Sequence, residues 1–369
     1  MTQDLKICIW LNSIDKMTSA KALMLLDYYG GPTQFAEKVD FMDEKLLRIF
    51  GADTMYKMNL GFTQENLDRL SGQLEDLHIE ALTIYDPRYP GWMKYCADPP
   101  FILYCRGNTR LLLEDRKIAV VGSRKNTAYG RRVVQNFVPS FVDAGYVTVS
   151  GLAVGTDETV HEETLKAGGK TIAVLGSGLC NVYPAANRGL AERIVQTGGL
   201  LISEYPPYAK PAQYHFPQRN RIVTGISKGL VIVEAGMKSG VYSTFNHAIE
   251  QGRDIFIVPG EIYSYGSMGS NDMLRQYPQA LVTSAREVIE ALGVPFVSPK
   301  KKPQKFVPNA DEKLVIKLLK SGQKHYDELL KKTGFSSLDL NFLLATMEIR
   351  TFITKLPSNY YVLNTEALK

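Results

Sequence analysis

Between residues 118 and 260, short runs of β-branched and aliphatic residues end repeatedly in Gly, Ser or Glu, with stretches of helical period between most of them. The runs are Ile118 to Gly122, Tyr146 to Gly151, Thr171 to Gly176, Leu200 to Glu204, Leu230 to Glu234 and Ile255 to Gly260. Gly130 to Ala144, Asp157 to Ala167 and Ala186 to Thr197 carry the helical pattern. Strands that alternate with helices at this spacing are joined by right-handed crossovers, and a crossover leaves the two strands parallel. The expected fold class is therefore α/β, with a doubly wound, mostly parallel sheet.

The flanks lack this alternation. Over residues 1–78, apolar positions recur at helical spacing (Leu23, Leu26 and Phe35; Leu46, Leu47 and Phe50), broken by Gly30-Gly31-Pro32 and Gly51. This predicts a small all-helical domain of the SAM or helix-hairpin-helix kind, with the sheet domain following over 79–298. The run Pro299-Lys300-Lys301-Lys302-Pro303-Gln304-Lys305 is short, basic and punctuated by proline, so a linker is expected at 299–308. Beyond it, residues 311–320, 325–332 and 337–349 have helical period, and Phe352 to Leu363 alternates around Pro357-Ser358-Asn359. Three helices and a hairpin within 309–369 predict a winged helix.

Charge is unevenly spread. Residues 1–80 hold 13 acidic and 8 basic side chains, residues 81–305 hold 18 and 26, and residues 306–369 hold 7 and 9. The basic excess falls on the sheet domain, which makes it the place to expect a polyanionic partner. Cys8, Cys96, Cys105 and Cys180 are scattered, with no C-x-x-C pair and no clustered histidines. They read as buried thiols in a reducing compartment rather than as metal ligands. No apolar run approaches the roughly 18 residues of a membrane span, and the first turn of the chain carries Asp4 where a signal peptide would not,. A cytoplasmic protein without a membrane partner is expected.

In an open parallel sheet, ligands bind outside the carboxyl ends of the strands, where helix N-termini point backbone N–H groups outward. Those ends read Gly122-Ser123-Arg124, Ser150-Gly151, Gly176-Ser177-Gly178, Ser203-Glu204, Glu234-Ala235-Gly236 and Pro259-Gly260. Small residues there let amides approach an anion closely, so a phosphate site is expected. Two windows free of Asp and Glu sharpen this. Residues 116–142 hold Arg116, Lys117, Arg124, Lys125, Arg131 and Arg132; residues 205–233 hold Lys210, Arg219, Arg221 and Lys228 among Tyr205, Tyr208, Tyr214, His215 and Phe216. Cations track a phosphate backbone while rings stack on unpaired bases, the combination that binds single-stranded nucleic acid. Phe216 stands out among the rings, because it follows a loop rich in proline and tyrosine and precedes Pro217-Gln218-Arg219-Asn220-Arg221.

Signatures of catalysis are sparse. There is no G-x-x-x-x-G-K-[ST] loop and no G-x-S-x-G elbow,. Gly176-Ser177-Gly178 starts like a dinucleotide fingerprint, but Asn181 stands where the third glycine belongs,. His161 and His247 fall on expected helices with no evident nucleophile, and read as structural. No cofactor and no catalytic residue is assigned.

These residues resemble the DNA processing protein A family, also called DprA or Smf. The matching stretches include Val121-Gly122-Ser123-Arg124, Ser150-Gly151-Leu152-Ala153, Ile202-Ser203-Glu204-Tyr205-Pro206, Phe216-Pro217-Gln218-Arg219-Asn220-Arg221, Ser239-Gly240 and Val258-Pro259-Gly260. Tyr85-Asp86, Tyr89-Pro90 and Asp98-Pro99-Pro100 look like that family's lead-in to the sheet. The resemblance implies an extended Rossmann-like fold and a homodimer that binds single-stranded DNA without base specificity. It also implies loading of the RecA recombinase during natural transformation. By resemblance, Arg124, Phe216, Arg219 and Arg221 would contact DNA, while Ser123, Ser150, Gly151, Ser177, Ser239 and Gly240 would supply the phosphate-facing turns. Gly122, Lys210 and Asn220 complete the expected DNA-binding set.

Two other function classes compete. A nucleoside monophosphate phosphoribohydrolase of the lysine-decarboxylase-like type would share the sheet, but needs a carboxylate just after its Gly-rich turn. Ala235 through Ile249 contains no Asp or Glu. A transcription regulator would grip duplex DNA through Ser337 to Arg350, which offers Arg350 as its one cation,.

Overall fold

The computed structural model describes residues 1–296, 308–350 and 352–364. Except for Pro308, the expected linker lies outside the described residues. Two compact units form, residues 1–299 and 300–369.

The first unit is built on an eight-stranded sheet. Its strands are β1 (Glu80–Thr83), β2 (Ile102–Gly107), β3 (Lys117–Val121), β4 (Val147–Ser150), β5 (Thr171–Val174), β6 (Leu200–Ser203), β7 (Gly229–Ile232) and β8 (Asp254–Ile257). They lie in the order β1-β2-β6-β5-β4-β3-β7-β8. The six strands from β6 to β8 in that order run parallel, and β2 and β1 extend the β6 edge antiparallel. Strands β3 to β7 are buried along their whole length, as expected of a parallel sheet covered on both faces. The six strands expected from sequence are all present. The antiparallel pair β1 and β2 is an addition that the pattern did not reveal, because only a short 3-10 turn, Gly91–Tyr95, and no α-helix separates the two strands.

Helices cover both faces. First come α1 (Gln3–Ser13), α2 (Ser19–Tyr29), α3 (Pro32–Lys38), α4 (Glu44–Phe50), α5 (Ala52–Gly61) and α6 (Gln64–Asp76). They gather around Trp10, whose ring centroid lies 4.8 Å from that of Phe62 and 6.2 Å from that of Phe35. The same apolar cluster takes in Ala81, Ile102, Tyr104, Ala173 and Leu201 of the sheet, and the Tyr104 hydroxyl donates to Asn12 Oδ1 at 2.9 Å. The N-terminal helices thus share a continuous core with the sheet.

The crossover helices are α7 (Ala128–Asp143), α8 (Thr156–Lys166), α9 (Arg188–Gln196), α10 (His215–Gly225) and α11 (Val241–Glu250), followed by α12 (Met268–Gln276) and α13 (Ala285–Ala291). Helix α7 starts at Thr127, whose hydroxyl caps the Gly130 N–H,. Its Val133, Val134, Phe137, Val138 and Phe141 pack against Ile118, Val120 and Val231. From β3 the chain winds outward through β4, β5 and β6, then returns to lay β7 and β8 on the other side of β3. That reversal beside β3 is a topological switch point, where crossovers on opposite faces leave a crevice.

The second unit contains α14 (Ala310–Leu319), β9 (Lys324–His325), α15 (Tyr326–Thr333), α16 (Ser337–Ile349), β10 (Ile353–Leu356) and β11 (Tyr360–Leu363). Strand β11 pairs with both β10 and β9. Val315, Leu329, Leu340, Leu344, Met347 and Phe352 form its core, giving the expected winged-helix arrangement.

Cys8 and Cys105 are buried, while Cys96 and Cys180 are half-buried; all four are free thiols. Burial pushes the Cys8 thiol up to about 12. Among the described residues, no helix is long and apolar enough to cross a membrane, and no group of three or more His, Cys, Asp or Glu could hold a metal ion.

Candidate nucleic-acid interface

A groove of about 780 Å³ opens at the switch point, outside the carboxyl ends of β3, β4 and β7. The β3–α7 loop contributes Gly122, Ser123, Arg124 and Lys125, the β4–α8 loop contributes Gly151 and Ala153, and the first turn of α8 contributes Asp157. Phe216, Arg219 and Asn220 reach it from α10, and Lys238, Ser239 and Gly240 from the β7–α11 loop.

The floor is tightly specified. A Cβ at Gly122 would stand 2.6 Å from Thr156 Oγ1, and one at Gly151 would collide with the Arg219 guanidinium and approach the Asp157 carboxylate. These two glycines are required by close approach. Just beyond Gly151, buried Leu152 has φ +56°, a left-handed conformation that costs a non-glycine residue about 1 kcal/mol or more. Its surroundings hold it there. The Asp157 carboxylate accepts from the backbone N–H of Gly151 at 3.2 Å and of Ala153 at 3.4 Å, and Asn187 Nδ2 donates to the Leu152 carbonyl at 3.0 Å.

Arg219 completes this floor instead of projecting from it. Only 4% exposed, it donates to the carbonyls of Gly151 and Val174 and to Asn220 Oδ1, and its charge faces Asp157. Burial raises the Asp157 carboxyl above its ordinary range, and the guanidinium beside it draws it back. Desolvation likewise lowers Arg219. The pair is therefore a costly buried clamp that locks β4, β5 and α10 together.

The rim has the opposite character. Arg124, Lys125 and Lys238 are exposed cations, and the Arg124 Cζ lies 5.5 Å from the Phe216 ring centroid. Phe216 is half-buried, and its ring packs over Gly176. The Tyr183 ring lies 5.5 Å away at a tilt of 46° and is 49% exposed. Behind them, Tyr205 stacks on His215 at 3.8 Å. The carboxylate of Glu234, 1% exposed, is spent on the N–H of Thr127 at 3.0 Å and its hydroxyl at 2.7 Å. The groove thus presents a positive rim, a two-ring platform and small-residue turns, which suits phosphates and unpaired bases together.

Of the expected site residues, Gly122, Ser123, Arg124, Gly151, Phe216, Arg219, Asn220, Ser239 and Gly240 line this groove. Four fall elsewhere. Arg221 is 6% exposed and gives both Nη atoms to the Glu204 carboxylate, at 2.7 and 2.6 Å, with Asp98 Oδ2 at 3.3 Å. Its charge is consumed inside the protein, so the expected phosphate contact has no basis here. Ser150 and Ser177 are buried, donating to the carbonyls of Val120 and Asn181, each at 2.7 Å. Lys210 is exposed but outside the groove. The expected set omitted Lys125, Tyr183 and Lys238, which line the groove. Lys125 stood in the first acid-free window, and Tyr183 in the loop after β5, where a ring at a strand's carboxyl end was the available signal.

Known proteins resemble this chain over the sheet domain. Over 226 residues the chain is 38% identical to DNA processing protein DprA of Bacillus subtilis, covering 61% of this chain and 75% of that protein. It is 36% identical over 233 residues to protein Smf of Escherichia coli, covering 63% of this chain and 62% of the other. The crystal structure of DprA from Streptococcus pneumoniae superposes with a TM-score of 0.66 at 32% identity, over 79% of this chain and 98% of that one. A structure of DNA processing protein A from Helicobacter pylori, determined for its single-stranded DNA binding mode, superposes with a TM-score of 0.52 at 29% identity, over 58% and 95%. The family model for DNA recombination-mediator protein A matches residues 80–293, the span that carries the whole sheet and the groove. This chain therefore belongs to the DNA recombination-mediator protein A family.

Proposed function

We propose that this protein binds single-stranded DNA in the switch-point groove and, as a homodimer in the cytoplasm, protects incoming DNA and loads a RecA-type recombinase onto it during natural transformation. The observation that carries the DNA-binding part is the pairing of the Phe216 and Tyr183 rings with the exposed cations Arg124, Lys125 and Lys238 around one groove. Bases stack on the rings and backbone amides of the turns meet phosphates, while the cations neutralise the strand. The relative from H. pylori, whose single-stranded DNA binding mode was the subject of its structure, supports the same reading.

A nucleotide-cleaving role is less well supported. Asp157 is held by two backbone N–H groups and faces Arg219, and Glu234 is capped by Thr127. Neither carboxylate is placed as a free base at the rim.

Photocrosslinking of a halogenated oligothymidylate, with peptide mapping, tests the site. Crosslinks should fall on peptides containing Tyr183 or Phe216; crosslinks confined to the second unit would overturn it. The recombinase part is tested by strand exchange on DNA pre-coated with a single-strand binding protein. Stimulation by the parent and none by Arg124→Ala with Phe216→Ala is expected, and equal rates with and without the parent would reject the loading role.

A further inference from the structure

A second cavity, of about 550 Å³, lies between α7 and α13, outside the groove. That volume falls within the range of ligand sites. Arg132 and Asn136 of α7, Arg286 of α13, and the rings of Tyr129, Phe137 and Phe296 form its walls. Phe137 is fixed by the core, and the Arg286 Cζ lies 6.0 Å from the Phe296 ring centroid. The Tyr129 hydroxyl donates to the Pro259 carbonyl at 2.7 Å, which anchors that ring at the mouth.

Charge and continuity name the occupant. Helix α7 carries no carboxylate between residues 128 and 142. On α13, Glu287 is spent on Thr283 and Ser284. Glu290 pairs with Arg286 at 2.8 Å, but both side chains are largely exposed, and such a pair yields readily to a stronger anion. Thr127 lines the groove and Tyr129 lines the cleft, so both sites share the first turn of one helix. A strand that follows Arg124 and Lys125 past the start of α7 arrives at Arg132.

We propose that this cleft is a second nucleotide subsite for single-stranded DNA, an inference that rests on the groove reading above. One base enters among the Tyr129, Phe137 and Phe296 rings, and Arg132 and Arg286 neutralise the flanking phosphates. The subsite lengthens the bound strand beyond the groove.

The test titrates full-length parent and the double variant Arg132→Ala with Arg286→Ala against oligothymidylates of about 4 and about 16 nucleotides at several salt concentrations. The double variant should match the parent on the short strand. On the long strand it should bind roughly tenfold more weakly, with the slope of log affinity against log salt reduced by about 1.4, two phosphate contacts at ~0.7 each. Phe296→Ala should weaken long-strand binding without changing the slope, because stacking releases few counterions. Unchanged binding at both lengths, or an equal loss at both, overturns the subsite while leaving the groove reading standing. A parent that binds neither strand overturns the groove reading itself.

Discussion

Arg219 and Arg221 sit two positions apart on one helix and do different work. Successive residues turn by about 100° around a helix, so these two point in nearly opposite directions. One reaches the groove floor and the other the Glu204 carboxylate. Arg221→Ala should cost about 3–5 kcal/mol of stability, since it strands a largely buried carboxylate; chemical denaturation would show it, and an unchanged midpoint would contradict the buried role. Arg219→Ala should weaken both folding and DNA binding but leave the salt slope of binding unchanged, whereas Arg124→Ala should lower that slope by about 0.7. Phe216→Ala should cost about 1–3 kcal/mol of binding at constant slope. A melting temperature far below the parent's would mark Phe216 as a core residue instead. The acid-free windows made these residue types legible in the sequence. Which arginines end up buried was not legible in the sequence, because that depends on Glu204 just after β6 and Asp157 in the first turn of α8, both distant from α10 along the chain.

At the scale of elements, the β4–α8 connection carries the most constraint. Gly151→Ala would force Arg219 and Asp157 apart and should abolish binding together with a clear loss of thermal stability. Binding at parental strength would show that the floor is not rigid. Beneath this loop, His161 of α8 joins Thr171, Thr148 and Thr164 in a buried hydrogen-bonded ladder, its Nδ1 2.7 Å from Thr171 Oγ1. Burial lowers its pKa from 6.5 to about 3. The unfolded chain therefore binds a proton that the folded one refuses, and this group removes stability as pH falls from about 6.5 toward 3. His161→Gln should flatten that part of the stability profile in urea denaturation at stepped pH; a profile parallel to the parent's would assign the acid sensitivity elsewhere. The six parallel strands were legible because each is a short apolar run ended by small residues and most are spaced by helices. The pair β1 and β2 interrupts that rhythm with a 3-10 segment and proline-rich loops, so pattern alone could not find it.

Across the whole molecule, charge is unevenly divided. The groove and its basic rim belong to the first unit, and residues 306–369 hold 9 basic against 7 acidic side chains. In the second unit, α16 exposes Leu338 and Phe342, at 81 and 77%, rather than a row of cations. Removing residues 306–369 should therefore leave single-strand affinity within a few-fold of the parent, as read by fluorescence anisotropy; a loss of more than about tenfold, or 1.4 kcal/mol, would move part of the binding site into that unit. The groove itself is tested most directly by a salt titration of the intact protein on single-stranded and double-stranded DNA of matched length and sequence. Rings at the groove mouth reward only unpaired bases. A strong preference for the single strand, persisting as salt rises and the shared phosphate contribution weakens, is the expected result. Equal affinity for the two forms at physiological salt would contradict it.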